Sequence, residues 1–196
     1  MKQCCVKGVT EFEELVMKTR TIMIFPEFEN INVINDIRRK YDPLAGLVMP
    51  HITLVFPFDS ELTNEELNLH LKECLSNIRP FKIQLEGFSK QESKYGNYLF
   101  LNVVKGIDVI INIHDRLYKD KLKQYDVGYG YVPHMTVGKV SSTELLNKAF
   151  DDVNKCNDKF STVVKKISVE MIGEHEESII IIEYELKTNF NLKRRF

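Results

Sequence analysis

Apolar positions in the first half of the chain follow strand spacing and helix spacing in turn. Ile31, Ile34 and Ile37 recur every three residues, as they would along one face of a helix. The β-branched apolar runs on either side indicate strands. The predicted order is a strand over 20–26, a helix over 30–41, a strand over 49–58, a helix over 64–78 and a strand over 81–89. A T-x-x-E sequence at Thr10 predicts one more short helix ahead of these elements.

The second half of the chain repeats this order of elements. Its pattern predicts a strand over 98–104, a helix over 107–122, a strand over 134–140, a helix over 144–156 and two long strands over 159–172 and 178–186. Corresponding positions are similarly separated, by 77 residues from Thr21 to Tyr98 and by 83 from His51 to His134. A repeated element order at a nearly constant offset indicates an internal duplication.

The duplication predicts the architecture of the molecule. With 196 residues, of which 43% are hydrophobic, the chain can bury a core as one domain. We expect a single bilobal α+β domain over residues 1–196, with the two repeats at about 20–90 and 97–187. Each lobe is expected to hold a mainly antiparallel sheet with flanking helices. A pseudo-two-fold axis between the lobes would create a central cleft.

A proline-histidine-x-threonine sequence stands at the middle strand of each half. It runs from Pro50 to Thr53 in the first half and from Pro133 to Thr136 in the second. With 5 His and 6 Pro in the chain, chance predicts roughly 0.014 matches to Pro-His-x-Ser/Thr. Two matches at corresponding positions therefore indicate a shared role.

Strand geometry groups the side chains of each H-x-T motif. Residues two apart along a strand lie on the same face, so His51 shares a face with Thr53, and His134 shares a face with Thr136. If the two faces look at each other across the cleft, two imidazoles and two hydroxyls form one site. The opposite face of the first strand is expected in the core, with Ile52, Leu54 and Phe56.

Two facing histidines suit in-line displacement at phosphorus. One imidazole can take a proton from the attacking oxygen, and the other can give a proton to the leaving oxygen, near neutral pH and without a metal. Threonine hydroxyls can donate hydrogen bonds to the non-bridging oxygens. Because one ring must be neutral and the other protonated, the pair is expected to give a bell-shaped pH profile.

The doubled H-x-T motif resembles that of the 2H phosphoesterase superfamily, which contains 2'-5' RNA ligases and cyclic phosphodiesterases. "HITLVFPF" is especially similar to the first motif of the RNA-ligase-like branch. The resemblance implies a bilobal fold and metal-independent, cofactor-free chemistry at 2',3'-cyclic or 2'-5' phosphodiester linkages. It also implies that His51 and His134 are catalytic and that Thr53 and Thr136 bind phosphate. The second motif departs from the commoner form in having Val137-Gly138 after the threonine, and this difference concerns substrate class.

Aromatic residues near the motifs are candidates for stacking on a nucleotide base. Tyr129 and Tyr131 precede His134, while Tyr41 and Phe58 lie near the first motif. The alternative is that these rings only pack locally. The three remaining histidines are expected to be structural or in an exposed turn: His70, His114 and His175.

Charge and composition limit the classes of binding partner that the sequence predicts. The chain has 27 Lys plus Arg and 28 Asp plus Glu, so its formal net charge is −1 and no overall electrostatic attraction favours a long polyanion. The expected substrate is a nucleotide or a short RNA end, not a long duplex, and the protein is expected to be a monomer. No apolar run reaches membrane-spanning length, so no membrane partner and a cytoplasmic location are expected. The four cysteines show no C-x-x-C pair and no metal-ligand spacing.

Two other functions compete with a metal-independent enzyme. The same cleft could hold a nucleotide or RNA end without turnover, because a fold and a site do not guarantee activity. A metal-dependent reaction has less support, because the two motifs offer only two imidazoles and no Asp or Glu stands at ligand spacing beside them.

Overall fold

A computed structural model describes residues 18–128 and 130–188 of the chain. The short helix predicted at Thr10 lies outside these residues. Within them, the predicted alternation of strands and helices is confirmed in both halves of the chain. None of the helices in the described ranges has the length and apolar character that crossing a membrane requires.

In the described residues, eight strands form one antiparallel sheet. In spatial order the sheet runs β6-β3-β4-β5-β2-β1-β7-β8. The strands are β1 (Lys18–Ile24), β2 (Ile52–Ser60), β3 (Phe81–Ser93), β4 (Gly96–Lys105), β5 (His134–Val140), β6 (Phe160–Val164), β7 (Lys166–Ile172) and β8 (Ser178–Glu185).

Over residues 18–128 and 130–188, four α-helices and one 3-10 helix connect the strands. The α-helices are α1 (Ile31–Tyr41), α2 (Asn64–Leu75), α3 (Ile107–Leu117) and α4 (Thr143–Val153), and the 3-10 helix is Asp120–Tyr125. The sequence pattern predicts one helix over 107–122, but the α-helix stops at Leu117. Asp120 has a φ of 50°, which a right-handed helix does not accommodate, so the chain restarts as the 3-10 helix.

The start of helix α2 is determined by its local sequence. The Thr63 hydroxyl accepts a hydrogen bond from the Glu66 backbone N–H, and the Glu66 carboxylate accepts one from the Thr63 N–H. This capping box satisfies two backbone donors that the first helical turn leaves free. One face of the helix is apolar and packs into the core, since Leu67, Leu71 and Leu75 are buried.

The two halves of the sequence exchange strands and helices. Strand β3 ends the first repeat but pairs with β4 of the second, while β7 of the second repeat pairs with β1 of the first. Helix α1 packs against β5, and α3 packs against β2. One lobe therefore contains β2, β1, β7 and β8, and the other contains β6, β3, β4 and β5. The lobes do not coincide with residues 20–90 and 97–187, because each is assembled from both repeats.

The long strand predicted over 159–172 is two strands in different lobes. β6 pairs with β3 and β7 pairs with β1, so the chain crosses between the lobes at Lys165. The Lys165 carbonyl accepts a hydrogen bond from the Leu186 N–H, which holds this crossing in place. The prediction of one strand was wrong because both segments have strand spacing, and spacing does not show which neighbour a strand pairs with.

Irregular pairing with β1 changes which β2 residues face the core. Ile52 and Leu54 are fully buried as expected, but Val55 is buried too and Phe56 is 40% exposed. The register with β1 shifts twice, between Arg20 and Ile22 and between Ile22 and Met23. The prediction for Phe56 was wrong because each such irregularity reverses the alternation of faces.

Candidate active site

The two H-x-T motifs meet where the lobes join. Ile52 of β2 pairs with Met135 of β5, and within residues 18–128 and 130–188 this is the one pair in the ladder between these strands. In an antiparallel pair, the residues flanking this position face each other in reverse order. Thr53 therefore lies opposite His134, and His51 lies opposite Thr136. All four side chains share the face opposite to Ile52 and Met135, which are fully buried.

A backbone carbonyl orients the His51 ring. Its Nδ1 lies 2.8 Å from the carbonyl oxygen of Met49, two residues earlier. Because a carbonyl oxygen only accepts, Nδ1 carries the proton and donates it. Nε2 of the neutral ring then carries the lone pair and can accept a proton from a substrate.

His134 has the same arrangement in the second motif. Its Nδ1 lies 2.8 Å from the carbonyl oxygen of Val132, again two residues earlier, so Nδ1–H donates and Nε2 accepts. The two motifs therefore share the orientation and the tautomer of the imidazole as well as the sequence.

An aromatic ring packs against each imidazole. Phe25, just after β1, lies edge-on to His51 with ring centroids 6.0 Å apart. Phe100 of β4 lies against His134 with centroids 3.9 Å apart. Phe100 pairs with Thr136 in the sheet, so its ring stands on the face that carries the motif side chains.

Burial lowers the pKa of both histidines below the ordinary value for imidazole. For His51, the positive charges of Arg38 and of His134 lower the pKa as well, while the Met49 carbonyl and the Asp42 carboxylate oppose them. For His134, the hydrogen bond to the Val132 carbonyl opposes the effect of burial. The neutral ring is therefore favoured at both positions in the free protein.

The two threonine hydroxyls can donate hydrogen bonds to an anion bound between the histidines. Thr53 and Thr136 are half-buried. Among the described residues, neither side chain hydrogen-bonds to the protein. The Tyr131 hydroxyl does bond to Thr53, but to its backbone oxygen. Both O–H groups can therefore donate to non-bridging phosphate oxygens.

Tyr131 links the second motif to the first. Its hydroxyl donates to the backbone oxygen of Thr53 at 2.7 Å, and its ring stacks on His114 at 3.8 Å with an interplanar angle of 3°. Burial raises the pKa of the Tyr131 phenol. With one ring face and the hydroxyl both engaged by the protein, the contacts of Tyr131 are those of a structural link.

The other predicted aromatics lie elsewhere. Phe58 is 4% exposed and packs on Tyr125 in the core, because the irregular pairing of β2 turns it inward, so the prediction that it stacks a base was wrong. Tyr41 donates to Asp152 of α4 at 2.7 Å, on the helix-covered side of the sheet, and is therefore separated from the histidine face. Tyr129 lies outside the described residues, and its base-stacking role stays a prediction.

Gly138, the departure from the commoner second motif, lies where α1 crosses β5. A Cβ atom at this position would come within 3.0 Å of the Tyr41 Cβ and 3.2 Å of the Leu99 Cβ. Leu99 pairs with Gly138 and is fully buried, so this contact is on the helix side of the sheet. The residue is small because the helix packs closely on the strand.

Sequence reasoning missed the residues that surround the two imidazoles. Phe25 and Phe100 lie within predicted strands, but their approach to the histidines depends on cross-strand register. The Met49 and Val132 carbonyls are backbone groups and carry no sequence signal. Sequence reasoning also missed a cavity of about 250 Å³ beside His51. Its lining includes Phe25, Phe28, Ile31, Met49, Pro50 and Ile180.

The remaining histidines are not part of this face. His70 is buried with Nε2 2.9 Å from the Leu117 carbonyl, and His114 has Nδ1 2.7 Å from the Leu54 carbonyl. His175 is exposed in the turn between β7 and β8. In the part of the chain that the structure describes, no three His, Cys, Asp or Glu side chains come together as a metal site would need.

Comparison with known proteins gives the family. The 2'-5' RNA ligase superfamily model matches residues 25–174, which include both motifs. A Bacillus pumilus protein that carries the provisional name phosphoesterase is 28% identical over 159 residues, or 81% of this chain and 82% of that protein. A Bacillus cereus protein with the same provisional name is 30% identical over 124 residues, or 60% of this chain and 67% of that protein.

Solved structures show the same fold. Escherichia coli LigT in complex with 3'-AMP matches with a TM-score of 0.57 at 14% identity, over 88% of this chain and 100% of LigT. A protein described as a phosphoesterase matches with a TM-score of 0.58 at 12% identity, over 88% and 100% of the two chains. The bilobal α+β fold is confirmed, and the chain belongs to the 2'-5' RNA ligase superfamily of 2H phosphoesterases.

Proposed function

We propose that the protein is a metal-independent phosphodiesterase that acts on 2',3'-cyclic phosphate or 2'-5' phosphodiester linkages of a nucleotide or RNA end. The observation that carries this proposal is the matched pair of imidazoles. Each donates Nδ1–H to a carbonyl two residues earlier, and each faces the threonine of the other motif. Family membership supports phosphoesterase chemistry at this site.

The geometry suits hydrolysis of a cyclic phosphate by in-line displacement. One histidine, neutral at Nε2, takes a proton from water as the water oxygen forms a bond to phosphorus. The other, protonated at Nε2, gives its proton to the ribose oxygen as that P–O bond breaks. Thr53 and Thr136 donate hydrogen bonds to the non-bridging oxygens, where negative charge develops. After the step the two histidines have exchanged protonation states, so in the reverse step, closure of the ring by the ribose hydroxyl with loss of water, their roles are reversed.

The proposed substrate is a nucleotide or the end of a short RNA. LigT, which shares the fold, has been crystallised with 3'-AMP, ATP and NADP+, and these ligands support a nucleotide in the corresponding cleft. The formal net charge of −1 supports a short substrate, since no overall positive field favours a long polyanion.

A product assay tests this proposal. The purified protein is incubated, with a strong chelator present, with the four nucleoside 2',3'-cyclic phosphates and with a short RNA ending in one. Products are resolved into 2'- and 3'-phosphates. We expect a single regioisomer, because one fixed acid protonates one leaving oxygen. Absence of product from every substrate, or activity that disappears with the chelator and returns with a divalent metal, would contradict the proposal.

One observation favours the alternative of a nucleotide-binding protein without turnover. Burial lowers the pKa of both histidines, which reduces the share of protonated acid near neutral pH. The alternative predicts nucleotide binding by calorimetry with no product after long incubation. Recovery of activity at mildly acidic pH would exclude it.

A further inference from the structure

Two buried polar residues occupy the same place in the two repeats. Arg38 is the eighth residue of α1, and His114 is the eighth residue of α3. Arg38 is 2% exposed and His114 is 8% exposed. Burying an arginine or a histidine is costly unless its hydrogen bonds are met inside the protein. The partners of the two side chains therefore show what each residue holds in place.

Arg38 holds the segment that leads to the first histidine. Its Nη1 donates to the Val48 carbonyl at 2.7 Å, and its Nη2 donates to the Leu44 carbonyl at 3.3 Å. Its Nε forms an ion pair with Asp42 at 2.7 Å. Val48 lies three residues before His51, and the next carbonyl along the chain is the one that accepts the His51 Nδ1–H.

His114 holds the corresponding segment before the second histidine. Its ring stacks on Tyr131, which lies three residues before His134. The next carbonyl along the chain, that of Val132, accepts the His134 Nδ1–H. The same two residues also bond to β2, since Nδ1–H of His114 donates to the Leu54 carbonyl and the Tyr131 hydroxyl donates to the Thr53 carbonyl.

We propose that Arg38, on one side, and the His114–Tyr131 pair, on the other, are positioning residues that aim His51 and His134 at the substrate. The proposal rests on the proposed function for its effect on rate. Arg38 bonds to the residue three places before His51, and His114 packs on the residue three places before His134. Each contact thereby fixes the following carbonyl, which orients the imidazole. The Tyr131 side does more, because its bond to Thr53 also sets the distance between the second motif and the strand of the first.

The most direct variant removes a single atom. Tyr131→Phe deletes the bond to the Thr53 carbonyl but keeps the stack on His114. Since a misplacement of about 1 Å at a reacting group can cost about a hundredfold, we expect kcat to fall about tenfold to a hundredfold with KM changed less than about twofold. Arg38→Lys, which keeps the charge but loses the planar fork, is expected to act in the same direction through His51.

Tyr118→Phe is the matched control. The Tyr118 hydroxyl also reaches β2, accepting from the Phe56 N–H at 2.9 Å, and its ring also contacts His114. It holds neither Val132 nor Met49. We expect Tyr118→Phe to lower the unfolding temperature about as much as Tyr131→Phe does, while leaving kcat within about twofold of the wild-type value.

The imidazole signals provide a readout that does not depend on activity. Two-bond proton–nitrogen spectra distinguish Nδ1–H from Nε2–H tautomers, and both motif histidines are expected as Nδ1–H. Tyr131→Phe should alter the His134 signals and leave those of His51 unchanged, whereas Arg38→Lys should do the reverse. Unaltered signals in both variants, or equal changes in Tyr118→Phe, would overturn the proposal. If the wild-type protein forms no product, the proposed function fails, but these spectra still decide the positioning roles.

Discussion

His51 and His134 are held by backbone carbonyls, and this makes the neutral ring ready to act as a base. The Nδ1–H bonds to the Met49 and Val132 carbonyls fix the tautomer. Burial then lowers the pKa of both rings, so the protonated acid is the scarcer form in the free protein. A bound phosphodiester carries a negative charge that favours the protonated form of the nearer ring.

The pH dependence of kcat/KM follows from these shifts. In the proposed mechanism the active free enzyme carries one protonated and one neutral imidazole, so kcat/KM should peak between the two apparent pKa values of the pair. Because both pKa values are lowered from the ordinary value of about 6.5, the optimum should lie below about pH 6.5. The optimum of kcat should lie at higher pH, since bound substrate stabilises the protonated acid. Initial rates measured across mildly acidic to mildly basic pH check this, and a kcat/KM optimum above pH 7 would contradict it.

Sequence could reveal the four motif side chains because their spacing is local. His51 with Thr53, and His134 with Thr136, share a face in any regular strand. Phe25 and Phe100 escaped notice because their approach to the imidazoles depends on which strands pair and in what register. Phe58 was assigned wrongly for the related reason that the pairing with β1 is irregular.

Among the elements, the helix starts follow most directly from local chemistry. Thr63 and Glu66 form a capping box, and the sequence alone identifies the threonine as the residue that starts α2. Strand ends and strand partners are less local. Residues 159–172 read as one strand, but they cross between lobes at Lys165, a feature set by the pairing of β6 with β3 and of β7 with β1.

The capping box gives a stability prediction that is independent of catalysis. Thr63→Ala removes the side-chain acceptor of the Glu66 N–H, so the free energy of unfolding should fall by about 1 kcal/mol. Thr63→Ser retains the acceptor oxygen and should remain within a few tenths of the wild-type value. Urea unfolding followed by circular dichroism compares the three proteins. Equal stability of the alanine and serine variants would show that the cap contributes nothing.

At the scale of the whole molecule, strands from the two halves of the chain pair with each other, and this pairing builds the two lobes on either side of the cleft. Because β3 pairs with β4 and β7 pairs with β1, neither repeat completes a lobe by itself. The lobes meet at the pair Ile52 and Met135, directly beneath the four motif side chains. The repeated order of elements could be predicted from the sequence, but the pairing of strands from different halves could not, because element order says nothing of which strands become neighbours.

The measurement that decides the two-histidine mechanism is a comparison of His51→Asn, His134→Asn and His175→Asn under single-turnover conditions. The asparagine amide can still donate to the Met49 or Val132 carbonyl, so the fold is preserved while the Nε2 position is lost. We expect each motif variant to lose about a hundred- to ten-thousand-fold in rate. His175, exposed in its turn, serves as the control and should lose nothing. Retention of more than about a tenth of the wild-type rate in either motif variant would contradict a mechanism that needs both imidazoles.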